Sequence, residues 1–119
     1  MLVEDEPDIV YIVKARLERD GFEVDAYTDP ILALQNFKRG LYELLVLDVK
    51  MPNMDGIELF NRMNKEDDKV RVCFFSAAEV LFNSNYRNLL QSYPDKFLFV
   101  SKPISIHTMT KQIEQFLST

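Results

Sequence analysis

The 119-residue chain has a single cysteine and histidine, no tryptophan, three glycines and five prolines. Cys73 alone cannot form an internal disulfide, and one histidine excludes a zinc site built from several Cys and His ligands. The low glycine and proline content argues against a collagen-like or disordered chain. We therefore expect residues 1–119 to form one domain in a reducing compartment, held by an apolar core drawn from the 47% of hydrophobic residues.

Long hydrophobic runs and clustered basic residues are also missing. No apolar run approaches the roughly 20 residues of a membrane-spanning helix, and no basic segment followed by an apolar one begins the chain. The 14 basic and 19 acidic residues give a net charge of −5, whereas binding to nucleic acid depends on a basic patch. We predict a cytoplasmic protein with no membrane and no direct nucleic-acid partner.

Short apolar runs of β type alternate with segments of helical periodicity. The β-type runs are MLVED, FEVDAY, YELLVLD, VRVCFFSA and FLFVSKP. Helices are predicted from Pro7 to Gly21, from an Asp29 N-cap to Gly40, after an Asp55 N-cap, less regularly over 79–92, and from about Ile106 to Leu117. Five βα units without a linker predict an α/β fold: one doubly wound five-stranded parallel sheet, in the flavodoxin-like order 2-1-3-4-5, with five helices.

Polar side chains follow the predicted strands where each ends. Glu4 and Asp5 follow the first strand, Asp48 the third, Ser76 the fourth and Lys102 the fifth. The carboxyl ends of parallel strands form the functional crevice of such sheets, and the first and third strands would lie about 4.8 Å apart. Three carboxylates would then converge, and their repulsion requires either protonation or a bound cation.

The residue types at these ends predict phosphoryl chemistry. Hard oxygen ligands favour Mg²⁺, Lys102 can hold a phosphoryl oxygen, and Ser76 can donate a hydrogen bond to another. An acidic loop alone would be typical of a solvated surface, but Asp48 ends an apolar strand, where a carboxylate is costly without a partner or a task. We therefore predict phosphoryl transfer onto Asp48.

Four motifs, VEDE, LDVKMPNMDG, FFSA and SKP, occur in this order at the predicted strand ends. With them, essentially the whole chain resembles the receiver domain of two-component response regulators. The resemblance implies that Asp48 accepts a phosphoryl group from a sensor histidine kinase or a phosphotransfer protein in a Mg²⁺-dependent reaction. It further implies that Asp5, Asp48 and the backbone carbonyl of Lys50 coordinate the ion, and that Glu4 acts mainly through a metal-bound water.

The same resemblance implies a conformational switch. Ser76 would move toward the phosphoryl group, Lys102 would form an ion pair with it, and Phe99 would be the aromatic switch residue. The output surface would be helix four, strand five and helix five, through which a homodimer is possible, and the Lys102–Pro103 bond would be cis. Two departures stand out: segment 77–96 is longer than usual, and the short first strand leads us to expect that the native chain begins upstream.

Three other functions remain to be weighed. An aspartyl-phosphate phosphatase of the haloacid-dehalogenase type would carry a second Asp where Lys50 stands, so we expect no turnover of an external substrate and only self-catalysed phosphorylation and dephosphorylation. Flavin binding would need a loop rich in glycine and hydroxyl groups after the first strand, where EDEPD would repel a phosphate. A degenerate receiver that only docks partners would have lost Asp48 or Lys102. We also expect His107 on the surface and Cys73 in the core.

Overall fold

In the computed structural model, which describes residues 1–119, five parallel strands form one sheet in the order β2-β1-β3-β4-β5. The strands are β1 Leu2–Val3, β2 Ala26–Tyr27, β3 Leu44–Leu47, β4 Arg71–Ala77 and β5 Phe97–Lys102. The helices are α1 Pro7–Arg19, α2 Pro30–Asn36, α3 Gly56–Glu66, α4 Ser84–Ser92 and α5 Ile106–Leu117, with a 3₁₀ helix over Ala78–Phe82. The predicted fold class and strand order are confirmed.

Alternation along the strands divides the core between the two sides of the sheet. Leu47 and Phe74 pack in one cluster with residues of α2, α3 and α4, whereas Val46 and Cys73 pack in the other with α1 and α5. We call these sides the α2/α3/α4 face and the α1/α5 face. Because successive strand residues point to opposite sides, a wholly apolar strand such as β3 serves both clusters. Cys73 is fully buried, as predicted.

Several helix ends follow the predicted local signals. Pro7 occupies the first turn of α1, and the side chains of Asp29 and Asp55 cap α2 and α3 by accepting from the backbone N–H groups of Ile31 and Glu58. After α1, Gly21 adopts a φ of +99°, a conformation that favours glycine.

Two elements are shorter than predicted. α2 ends at Asn36 and not near Gly40, because Phe37 turns to an extended backbone and buries its ring against Tyr42, with centroids 5.7 Å apart. β2 contains only Ala26–Tyr27 of the predicted FEVDAY run, because it is an edge strand whose only partner, β1, supplies a two-residue ladder. Both differences arise from tertiary contacts that override local propensity.

The irregular segment after β4 is two helices. The 3₁₀ helix Ala78–Phe82 ends at Asn83, whose side-chain oxygen accepts from the backbone N–H groups of Asn85 and Tyr86 and so begins α4. The predicted helical stretch over 79–92 is therefore interrupted by an N-cap residue.

At the amino ends of the strands, charged side chains form hydrogen bonds with backbone groups of neighbouring elements. Arg71 donates to the carbonyl oxygens of Phe116, Leu117 and Thr119 and so caps the last turn of α5. The buried Asp67, between α3 and β4, accepts from two backbone N–H groups. None of the helices combines the length and apolar character that crossing a membrane would require.

Candidate functional site

The sheet register brings the five predicted strand-end residues together. Leu2 and Val3 pair with Val46 and Leu47, which places Glu4 beside Asp48 at the ends of β1 and β3. The pairing of β4 with β5 places Ser76 one position before the level of Lys102. The polar residues at these strand ends, which are far apart in the sequence, thus form one cluster in the structure.

Asp48 lies at the centre of this cluster and is only 5% exposed. Its Oδ1 accepts from the Ser76 hydroxyl at 2.8 Å and from the backbone N–H of Lys50 at 3.3 Å, while its Oδ2 faces the Lys102 ammonium at 3.3 Å. A buried carboxylate costs much free energy unless it is hydrogen-bonded or paired, and Asp48 has both kinds of partner.

Lys102 joins the two buried acids. Its ammonium donates to Glu4 Oε1 at 2.9 Å as well as to Asp48, and it lies 5.2 Å from the ring centroid of Phe75. Burial lowers the pKa of Lys102, but the hydrogen bond to Glu4 and the charge of Asp48 outweigh it, so the pKa is raised overall. The sequence did not point to this contact of Phe75, for which the only signal is its place just before Ser76.

Glu4 is the least satisfied member of the cluster. It is 2% exposed, and its second oxygen, Oε2, has no hydrogen-bond partner. Burial, together with the neighbouring Asp48, raises the pKa of Glu4 to about 8 although Lys102 acts in the opposite direction. Asp5 is half-buried, and carboxylate oxygens of Glu4, Asp5 and Asp48 all lie within 4.8 Å of one another. An unpartnered buried oxygen within a set of hard oxygen donors fits a divalent cation such as Mg²⁺.

Two features of the neighbouring loops escaped sequence reasoning. The exposed Lys50 side chain forms an ion pair with Glu79, which links the loop after β3 to the 3₁₀ helix. Gly56 begins α3 against the backbone of Asp48: a Cβ atom there would lie 2.1 Å from the Asp48 carbonyl oxygen. The Asp-Gly pair within LDVKMPNMDG was the available signal, but a turn explains that pair equally well.

The remaining residues singled out from the sequence lie outside the cluster. Phe99 is half-buried on the α2/α3/α4 face, with its ring centroid 5.4 Å from that of Tyr86. His107 is exposed near the start of α5, as expected, and its Nδ1 lies 3.0 Å from the Arg16 guanidinium. The Lys102–Pro103 peptide bond is cis, as the resemblance implied.

A separate cleft lies elsewhere in the molecule. It has a volume of about 500 Å³ and is mostly apolar, with Met1, Leu17, Phe22 and Leu117 among its lining residues. None of the five clustered polar residues lines it. The candidate site is therefore defined by its charges and hydrogen bonds and not by this cleft. A smaller cavity of about 310 Å³ next to the candidate site has Lys50 and Glu79 among its lining residues.

Residues 1–114 match the family model of the response regulator receiver domain, and the chain belongs to that family. It is 26% identical over 117 residues to the transcriptional regulatory protein TrcR of Mycobacterium tuberculosis and 29% identical over 117 residues to the regulatory protein VanRB of Enterococcus faecalis. These matches cover 98% of this chain but 44% of TrcR and 51% of VanRB, so the chain spans about half the length of these relatives.

Solved structures share the fold. The non-phosphorylated HemR receiver domain from Leptospira biflexa has a TM-score of 0.85 at 23% identity, with 99% of this chain and 92% of that chain covered. The response regulator TrrA from Thermotoga maritima, solved in complex with Mg²⁺ and BeF, has a TM-score of 0.79 at 22% identity, with 97% and 95% covered.

Proposed function

We propose that this receiver domain accepts one phosphoryl group on Asp48 from a sensor histidine kinase or a phosphotransfer protein in the cytoplasm. The observation that carries the proposal is the set of contacts around Asp48, whose two oxygens face the Ser76 hydroxyl and the Lys102 ammonium. The two neighbouring acids, Glu4 and Asp5, supply a place for the cation that such a transfer uses.

In the proposed reaction, a carboxylate oxygen of Asp48 attacks the phosphorus atom of the donor. A bond forms between that oxygen and phosphorus, the bond from phosphorus to the donor breaks, and the donor atom keeps the electron pair and takes up a proton. Lys102 and Ser76 stabilise the negative charge on the phosphoryl oxygens through an ion pair and a hydrogen bond. Because the pKa of Lys102 is raised, its ammonium stays charged at neutral pH.

The cation would be held by Asp5, Asp48 and the backbone carbonyl of Lys50. Glu4 would act mainly through a water molecule bound to the cation. When bound, Mg²⁺ would offset negative charge on the acids and on the transferring group. Support comes from the unpartnered Oε2 of Glu4 and from the Mg²⁺ complex of TrrA. The long side chain of Glu4 is already engaged by Lys102, which leaves Asp5 as the more accessible ligand.

The transferred group then biases a switch. The Ser76 hydroxyl follows the phosphoryl oxygens, Phe99 changes its burial, and the surface of α4, β5 and α5 changes for a partner protein or for a second copy of the domain. A ligand shifts a two-state balance only through its different interaction with the two states, so the contacts of Ser76 and Lys102 must differ between them. No turnover of an external substrate is proposed.

The direct test is incubation with acetyl phosphate, with and without Mg²⁺, followed by intact mass. We expect an increase of one phosphoryl group in the presence of Mg²⁺ and none in Asp48→Asn. Ser76→Ala is the matched variant, because it keeps the acceptor, and we expect it to be labelled yet to leave the α4, β5 and α5 surface unchanged. Equal labelling of Asp48→Asn would contradict the assignment of the acceptor, and an unlabelled wild-type chain would favour a docking-only receiver.

A further inference from the structure

Helix α4 is attached to the domain through few side chains. Of its nine residues only Tyr86 and Leu89 are buried. Along the side facing α3, a groove of about 480 Å³ separates the two helices, lined by polar residues that include Asn61, Asn85 and Asn88. Tyr86, which is 2% exposed, is the larger of the two side chains that α4 buries in the core.

Tyr86 contacts β4 and β5, the two strands that carry Ser76 and Lys102. Its ring centroid lies 5.6 Å from that of Phe74 in an edge-to-face arrangement and 5.4 Å from that of Phe99, with the planes tilted by 59°. Phe74 precedes Ser76 by two residues in β4, and Phe99 precedes Lys102 by three in β5. One side chain of α4 therefore packs against β4, which carries the Ser76 hydroxyl, and against β5, which carries the Lys102 ammonium.

We infer that Tyr86 is the side chain through which the position of Phe99 is transmitted to α4, and that it acts as a positioning residue for the output surface. The inference rests on the proposed function and adds to it the side-chain contact through which α4 responds to Phe99. Aromatic pairs depend on ring offset and tilt, so a turn of Phe99 alters the contact with Tyr86. Close-packed cores respond by shifting between discrete arrangements, and the open groove beside α3 leaves α4 free to follow.

Tyr93 provides a matched comparison within the same region. It follows α4 directly and is half-buried, but its ring packs against Phe60 and Phe97 and not against Phe99. A signal that passes through Phe99 should therefore reach Tyr86 and leave Tyr93 unchanged. A general loosening of α4 would affect both tyrosines.

The experiment uses the intact chain labelled with 3-fluorotyrosine, which marks its five tyrosines. Tyr86→Phe and Tyr93→Phe assign the two ¹⁹F resonances while keeping both rings. After incubation with acetyl phosphate and Mg²⁺, with one phosphoryl group on Asp48 verified by intact mass, we expect the Tyr86 resonance to shift and that of Tyr93 to stay within its line width. If Asp48 is phosphorylated and the Tyr86 resonance does not shift, or if the Tyr86 and Tyr93 resonances shift equally, the inference is overturned and the proposed function stays intact.

A second measurement tests the coupling by removing the ring. In Tyr86→Leu we expect labelling of Asp48 at a rate within twofold of the wild type, but phosphorylation no longer changes amide exchange in α4. In the wild type and in Tyr93→Leu, exchange in α4 should change at least fivefold on phosphorylation. A wild-type response of α4 in Tyr86→Leu overturns the inference, whereas absence of labelling in the wild-type chain overturns the proposed function itself. If Tyr86→Leu does not fold, the ¹⁹F comparison in the wild-type chain still decides.

Discussion

Buried carboxylates at the two ends of the sheet have opposite environments, which shift their pKa values in opposite directions. At the amino end, Asp67 is 8% exposed and accepts from the backbone N–H groups of Gly40 and Lys69 at 2.9 and 3.0 Å. These hydrogen bonds lower its pKa. At the carboxyl end, Glu4 has one oxygen without a partner, lies beside Asp48, and has a raised pKa.

The difference separates an acid whose charged form the fold stabilises from acids whose charged form the fold destabilises. Hydrogen bonds from backbone N–H groups stabilise the charged form of Asp67, so the ionised side chain supports the fold. Burial and like charge destabilise the charged form of Glu4, so the carboxyl end stores unfavourable free energy that a cation or a protonation relieves. Burial by itself does not tell the two cases apart, whereas the hydrogen-bond partners do.

The largest expected effect comes from neutralising Glu4. Its pKa in the folded chain, about 8, exceeds its ordinary value of 4.5, so the unfolded chain loses this proton first as pH rises. In metal-free buffer the wild type should therefore lose stability between pH 4.5 and 8, by at most about 5 kcal/mol, and Glu4→Gln should not show this loss.

Urea unfolding of both proteins with EDTA at several pH values measures this difference, and the exposed Glu18→Gln serves as the control. Parallel pH profiles for Glu4→Gln and the wild type would show that Glu4 is not destabilised by its burial.

A bound cation should reduce the repulsion among the carboxylates of Glu4, Asp5 and Asp48 and so stabilise the folded chain. A ligand that binds only the folded state at about 100 times its Kd adds roughly 2.7 kcal/mol, which raises the Tm of a domain of this size by several degrees. We expect this rise on adding Mg²⁺, its reversal by EDTA, and its loss in Asp5→Ala but not in the exposed Asp8→Ala. An unchanged Mg²⁺ response in Asp5→Ala would exclude Asp5 as a ligand.

Removing the structural acid should have the opposite sign from neutralising Glu4. Asp67→Ala leaves the backbone N–H groups of Gly40 and Lys69 without their partner, which should cost about 1.5–3 kcal/mol at neutral pH. Because the pKa of Asp67 is lowered, its contribution is present above the ordinary carboxyl pKa and fades as pH falls through the folded value. Denaturant unfolding at pH 7 gives the number. A gain in stability for both Asp67→Ala and Glu4→Gln would abolish the distinction between the two ends.

The smallest effect on stability is expected from a pair of glycine substitutions. Gly56→Ala places a Cβ against the Asp48 carbonyl and should cost about 1–3 kcal/mol. Gly21→Ala, at φ +99° in open space, should cost about 1–2 kcal/mol through backbone strain. Only Gly56→Ala should also slow phosphorylation by acetyl phosphate, because only that clash displaces Asp48, the proposed acceptor. Equal labelling rates in the two variants would show that the contact with α3 does not position Asp48.

The sequence predicted most of the sheet and the members of the candidate cluster. Continuous apolar strands and capping residues are local signals, so β3, β4, β5 and the starts of α2 and α3 were confirmed close to their predicted positions. Glu4, Asp48, Ser76 and Lys102 follow from the rule that polar residues at parallel strand ends converge. The ends of β2 and α2 did not follow, because a short neighbouring ladder and the burial of Phe37 set them.

By itself, the sequence determined which side chains reach the carboxyl edge, because strand periodicity and the order of βα units are encoded locally. Only the tertiary structure decided how these side chains are paired. Lys102 bridges Glu4 and Asp48, one oxygen of Glu4 has no partner, and Tyr86 rests on Phe99. The two contacts of Lys102 and the contact of Tyr86 with Phe99 join different elements of the fold, and the missing partner of Glu4 also depends on how the strands and helices pack, which no local pattern specifies.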